Sequence, residues 1–156
     1  MDKEQYINKE FFCQLKSQAV GEGKQGFVAA GIIMDQGKVL LLRRQPGDWL
    51  PGTYELPSGK VEQGETIDAG LKREVWEETG LKVKKIMDYL GSFDYLTRSG
   101  KDVRQFNFIV SVNAPLDIKL TEHDDYKWLA KEELGNYKVT EHVKKIVCAA
   151  YANCPG

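Results

Sequence analysis

Histidine and cysteine are scarce in this sequence. Two histidines and three cysteines leave no Cys/His set for a zinc site, and Cys13, Cys148 and Cys154 show no C-x-x-C spacing. The odd cysteine count argues against a complete disulfide framework, so these residues are expected to be thiols in a reducing cytoplasm. Long apolar runs are missing too: none approaches the roughly 20 residues that span a bilayer. The start, Met1-Asp2-Lys3-Glu4-Gln5, lacks the basic-then-apolar layout of a secretory signal. A soluble, cytoplasmic protein with no membrane partner is expected. Nor does one sign of charge dominate. The 22 basic and 23 acidic residues sum to -1, so no global field draws the chain to a nucleic acid polymer, and any polyanion must be held locally. No G-x4-G-K-[ST] phosphate loop occurs. His123 and His142 have no matching serine or cysteine arrangement for nucleophilic catalysis and read as core or surface residues.

What is present suits one globular domain over residues 1–156, because 42% hydrophobic residues in a chain of this length suffice for a real core. Residues 2–20 place Phe11, Phe12, Leu15 and Ala19 at helical spacings ahead of Gly21-Glu22-Gly23, predicting an amphipathic N-terminal extension. That helix is expected to pack on the domain or on a second subunit, with substrate contact as the alternative, and a homodimer is compatible with it. Phe27–Met34 and Val39–Leu42 read as an antiparallel hairpin around Asp35-Gln36-Gly37-Lys38. A turn-rich loop carrying Trp49 follows, then a short extended segment, Tyr54–Leu56. Strands are expected over Val83–Tyr95, Arg104–Val112 and Tyr126–Leu129, a helical turn over Lys131–Leu134, and a closing helix from about Glu141 to Asn153. The sum is an α+β chain, an α/β/α sandwich with a mixed β-sheet packed between helices.

The segment Thr66–Thr79 is proline-free, begins with a cap-competent threonine and stops at Gly80, which predicts a helix. At about 100° per residue, Ile67, Leu71 and Val75 form its apolar stripe, and Glu74, Glu77 and Glu78 fall within or beside that stripe. An ordinary surface helix places acids opposite its apolar face, because a carboxylate removed from water costs several kcal/mol unless it is paired or bound to a cation. Acids three and four residues apart also repel one another by a few tenths of a kcal/mol. A divalent cation reverses that sign, and an all-oxygen set suits Mg²⁺, Mn²⁺ or Ca²⁺ rather than zinc. Taken alone, the run is more simply a solvated acidic face.

The wider context decides. Gly59, Glu65, Arg73, Glu74, Val75, Glu77, Glu78, Gly80 and Leu81 occupy every specified position of the Nudix box, G-x5-E-x7-R-E-U-x-E-E-x-G-U with U aliphatic. The chain therefore resembles the Nudix hydrolase family over residues 27–150, with Leu56-Pro57-Ser58 and Trp128 also similar to it. The resemblance implies the Nudix fold and Mg²⁺-dependent (Mn²⁺ being the other candidate) hydrolysis of a diphosphate linkage in a nucleotide-like small molecule. By the family pattern Glu77 and Glu78 are metal ligands, joined by the backbone carbonyl of Ser58. Glu74 is either a further ligand or the base that deprotonates water, a role it shares as a candidate with Glu122. Arg73 is expected to orient a ligand carboxylate, and Glu65 to have a structural part. Lys60, Arg43 and Arg44 are candidates for phosphate contact. Phe27, Trp49, Tyr95, Phe106, Asn107, Asp124 and Asp125 are candidates for base contact. The first proline downstream of the box is Pro115, which departs from the ADP-ribose pattern and favours nucleoside triphosphate hydrolysis to monophosphate and pyrophosphate. An ADP-ribose or ADP-sugar pyrophosphatase and a non-catalytic nucleotide-binding module are the alternatives.

Overall fold

The structure, a computed structural model, describes residues 6–153. Helix α1 (Lys9–Gly21) begins where the Asn8 side chain accepts the Phe11 N–H at 2.9 Å, satisfying one of the amides that a helix start leaves open. This helix accounts for most of the helical stretch expected over residues 2–20, and residues 1–5 lie outside the described residues. Strands β1 (Gly26–Asp35) and β2 (Lys38–Arg44) meet in the predicted hairpin, through a turn in which Gln36 and Gly37 both have positive φ. The short strands β3 (Tyr54–Glu55) and β4 (Ser58–Lys60) follow, and then helix α2 (Ile67–Thr79), which ends at a left-handed Gly80. Strands β5 (Val83–Leu96) and β6 (Asp102–Val112) form the second hairpin. Strand β7 (His123–Leu129), a 3₁₀ turn (Lys131–Asn136) and helix α3 (Glu141–Asn153) complete the described chain.

Among the described residues the strands make a seven-stranded mixed sheet with the path β3-β2-β1-β6-β5, with β4 paired to β1 and β7 to β2. Strand β1 is the hinge of the arrangement. It runs parallel to β6 over most of its length and antiparallel to β4, and it touches β2 only at Met34 and Asp35. Because side chains alternate along a strand, β1 and β2 serve two cores. Ala29, Ile33, Leu40 and Leu42 join Phe12, Ile67, Leu71 and Val75 beneath α1 and α2. Ala30, Ile32, Val39 and Leu41 join Leu56, Val143, Val147 and Ala150 beneath α3. Gly31 lets α2 sit close, since a Cβ there would lie 3.0 Å from the Val75 Cγ2. This is the α/β/α layering expected from sequence. Cys13 and Cys148 are free and exposed, and Cys154 lies outside the described residues. Among the described residues no helix is long and apolar enough to cross a membrane.

Candidate active site

Helix α2 buries the stripe anticipated for it. Ile67, Leu71, Val75 and Glu78 all face inward, and Glu78 is only 5% exposed. An acid so placed needs partners. The Ser58 N–H on β4 donates to Glu78 Oε1 at 2.9 Å, and His123 Nδ1 on β7 lies 3.4 Å from Glu78 Oε2. Burial, which outweighs the Ser58 hydrogen bond, together with repulsion from Glu55, Glu74 and Glu122 pushes the Glu78 carboxyl up to about 9. Glu74 is raised in the same direction, chiefly by burial and then by Glu77 and Glu122, against the pull of Arg73. Glu74 and Glu78 therefore stand in an environment that disfavours their negative charge.

Arg73 is the local counter-charge. Its Nη1 donates to Glu74 at 2.7 Å and to Glu77 at 3.2 Å, while Nε and Nη2 reach Glu65 at 2.8 and 2.9 Å and a further bond from Nη2 meets the Lys60 carbonyl. Glu65 also accepts the Glu62 N–H, and the Arg73 guanidinium holds its carboxyl down to about 2. The structural part expected for Glu65 is thus a clamp that fixes the guanidinium from behind. Glu65→Ala is expected to cost about 2 kcal/mol, given charge-assisted hydrogen bonds lost on a partly buried pair, and to lower Tm by roughly 5 °C. The folded pKa is depressed, so this stabilisation is present above the ordinary carboxylate range and disappears as pH falls from about 4.5 to about 2. Thermal unfolding of both proteins across that range checks it: the Tm gap should close in acid.

The box glycine has a steric reason to be glycine. A Cβ on Gly59 would fall 2.0 Å from Glu74 Cδ and Oε2, so the Glu74 carboxylate rests directly against the β4 backbone. Beside it opens a polar cavity of about 270 Å³, lined by Val28, Arg44, Asp48, Glu55, Ser58, Gly59, Lys60, Glu78, Tyr95, Glu122 and His123. Arg44, Lys60, Ser58, Glu78 and Glu122 were anticipated as site residues and are brought together here. The Thr121 hydroxyl donates to the Glu77 carbonyl at 3.0 Å, which ties the segment carrying Glu122 to the end of α2.

Tyr95, a candidate for base contact, also lines the cavity, whereas several other candidates sit elsewhere. Arg43 and Arg44 are neighbours on one strand, so they point to opposite faces. Arg44 continues the face of Leu40 and Leu42 towards α2, whereas Arg43 is salt-bridged to Asp124 at 2.7 Å. Phe27 packs at the edge of the core near Phe106, with the Lys16 ammonium over its ring. Glu77 has a half-exposed side chain and meets Arg73. Asn107 and Phe106 are fully buried in β6. Trp49 remains exposed in its loop with the Arg98 guanidinium above it.

Four cavity residues were missed by sequence reasoning, Val28, Asp48, Glu55 and His123. His123 was read as core or surface, and it is buried, but its Nε2 bonds Glu55 Oε1 at 2.8 Å while Glu55 Oε2 takes the Arg44 Nε at 2.8 Å. The available signals were an acid inside the apolar approach to the box, Tyr54-Glu55-Leu56, and a histidine directly after Glu122.

Among the described residues no three Asp, Glu, His or Cys groups already converge as a ready metal cage. The donor chemistry nonetheless fits a hard divalent cation: Glu74, Glu77 and Glu78 offer only oxygen, Glu74 and Glu78 are raised by burial and then by neighbouring acids, and Glu78 has one oxygen beside a buried imidazole nitrogen without a hydrogen-bond partner.

Comparison with known proteins agrees with this geometry. The profile of the NUDIX domain family matches residues 25–150. A MutT-like protein of Streptomyces ambofaciens is 31% identical over 69% of this chain, which spans 65% of that relative's length. The nucleoside triphosphatase NudI of Escherichia coli O81 (strain ED1a) is 30% identical over 78% of this chain and 94% of its own. Among solved structures, the E. coli ORF135 protein superposes with a TM-score of 0.71 at 27% identity, covering 87% of this chain and 97% of its own. The MutT protein from Methanosarcina mazei Go1 gives 0.70 at 30% identity, covering 81% and 92%. With the box complete, the sandwich formed and the profile matched over most of its length, this chain belongs to the Nudix hydrolase family.

Proposed function

We propose that the protein hydrolyses a nucleoside triphosphate to a nucleoside monophosphate and pyrophosphate, with Mg²⁺ as its working ion and Mn²⁺ as a substitute. The observation that carries this reading is the buried Glu78 at the wall of a polar cavity that also presents Arg44 and Lys60. A phosphoanhydride resists water because its oxygens repel a nucleophile, so cations at the cavity wall are required alongside a base. Similarity to a relative named as a nucleoside triphosphatase supports the triphosphate as substrate.

Glu74, Glu77, Glu78 and the Ser58 carbonyl are the groups that would hold the ion. When bound, it neutralises phosphate charge and lowers the pKa of coordinated water. Arg44 and Lys60 take up the negative charge of the phosphate chain at the cavity wall. Arg73, braced by Glu65, orients the Glu74 and Glu77 carboxylates. A proton from the attacking water goes to a carboxylate oxygen of Glu74, which burial raises above the ordinary carboxylate range, or to Glu122 in the cavity lining. Specificity constants for canonical and oxidised nucleoside triphosphates, ADP-ribose, NADH and dinucleoside polyphosphates test the assignment. A triphosphate should have the highest value, and a clear preference for ADP-ribose or a dinucleotide would refute it.

A further inference from the structure

Glu78 differs from the other two acids of its helix in what holds it. Arg73 serves Glu74 and Glu77, while Glu78 sits between the Ser58 N–H and the His123 ring. The ring is itself fixed. Glu55 is salt-bridged to Arg44 through one oxygen and presents the other to His123 Nε2 at 2.8 Å, which fixes the ring with Nδ1 turned towards Glu78. Nδ1 is buried and has no hydrogen-bond partner, 3.4 Å from Glu78 Oε2.

The backbone makes a specific provision for this. Strand β7 pairs regularly with β2 from Val39↔Leu129 to Arg43↔Asp125, and continuation would set Arg44 opposite Asp124. Instead the register shifts and Arg44 faces His123. Residues directly opposite in a ladder share a face, so this bulge transfers His123 to the face of Leu40, Leu42 and Arg44, which is the face covered by α2. Glu55 opposes Leu42 and shares that face too. Without the irregularity the imidazole would point to the other side of the sheet, away from Glu78.

We infer that His123 is a positioning residue that sets the Glu78 carboxylate, with Glu55 and Arg44 as its support on the neighbouring strands. The inference rests on the reading of Glu78 as a metal ligand. Partners one step behind a ligand commonly matter by 10- to 100-fold in metal affinity, which sets the size of the expected effect at about that range.

The test is a double-mutant cycle on Mn²⁺ binding, followed through the electron paramagnetic resonance signal of the free ion. His123→Leu should raise the Mn²⁺ dissociation constant by about 10- to 100-fold. His123→Asn, whose amide takes the place of Nδ1, should recover much of the loss. In a Glu78→Gln background His123→Leu should have almost no further effect, because the histidine acts through that carboxylate. Should His123→Leu fail to give a folded protein by thermal unfolding, Glu55→Gln enters the same cycle with the same expected coupling. Equal losses in both backgrounds, or affinity within twofold of wild type, would overturn the inference while leaving the metal reading intact. Wild-type protein that binds no Mn²⁺ would overturn both.

Discussion

Glu78→Gln is expected to lower turnover about 10²- to 10³-fold, the usual cost of losing one group that stabilises transition-state charge, while making the metal-free protein more stable at alkaline pH. The two effects have one cause. Glu78 is the most buried carboxylate of the site, and burial with the nearby Glu55, Glu74 and Glu122 raises it to about 9 from an ordinary 4.5. Between these values the folded protein keeps a proton that the unfolded chain has released, so this group's contribution to stability falls as pH rises. Glutamine carries no such charge. It retains an oxygen to accept the Ser58 N–H and gains an amide for the unpartnered His123 Nδ1. In chelator, the Tm advantage of the variant should therefore grow from pH 5 to pH 8, reaching a few °C for about 1 to 2 kcal/mol. Saturating Mg²⁺ should raise Tm for the wild type much more than for the variant, since only a ligand that binds the folded state stabilises it. Parallel Tm curves for the two proteins without metal would contradict the description of Glu78 as a destabilising acid.

Gly59→Ala should cost about 10² in kcat/KM with little change in stability. The new methyl group would occupy the space of the Glu74 carboxylate, 2.0 Å from its Cδ. The backbone is not obstructed, and the clashing atoms belong to the far end of a flexible side chain, so the fold has an inexpensive escape: Glu74 swings away. It leaves behind the Arg73 contact at 2.7 Å and its place against Gly59, a residue of the cavity wall. A displacement of about 1 Å at a reacting group is enough for a loss of this size. Because the effect runs through Glu74, adding Gly59→Ala to Glu74→Gln should reduce activity only slightly further. Multiplicative losses would show that Gly59 matters for the β1–β4 pairing at Ala29 rather than for the carboxylate.

Much of this site was legible because the box joins two independent constraints. The apolar period of Ile67, Leu71 and Val75 fixes how α2 rotates, and the same period then dictates that Glu78 goes inward. The closing helix over Glu141–Asn153 follows equally from its apolar stripe. Arg43 and Arg44 show the limit of such reasoning. They look alike in sequence, yet only the strand register reveals which one faces the cavity. Strand β7 was expected from Tyr126 and in fact begins at His123. Its first residues, His123, Asp124 and Asp125, carry no apolar alternation, and they become a strand through pairing with β2, a tertiary contact. The bulge that turns His123 inward has no local signal at all, which is why a histidine that reads as an ordinary core residue lies beside Glu78. Phe27, a candidate for base contact by its aromatic character, is partly buried at the margin of the core, with the Lys16 ammonium over its ring.

The most direct test of the central claim is product analysis on a single nucleoside triphosphate, incubated with the protein with and without Mg²⁺ and followed by ³¹P NMR. Cleavage between the α- and β-phosphates, giving monophosphate and pyrophosphate only when Mg²⁺ is present, is the predicted result. Release of orthophosphate and a diphosphate, or equal turnover in chelator, would contradict the account of the acids on α2 as the centre of a Mg²⁺-dependent pyrophosphohydrolase.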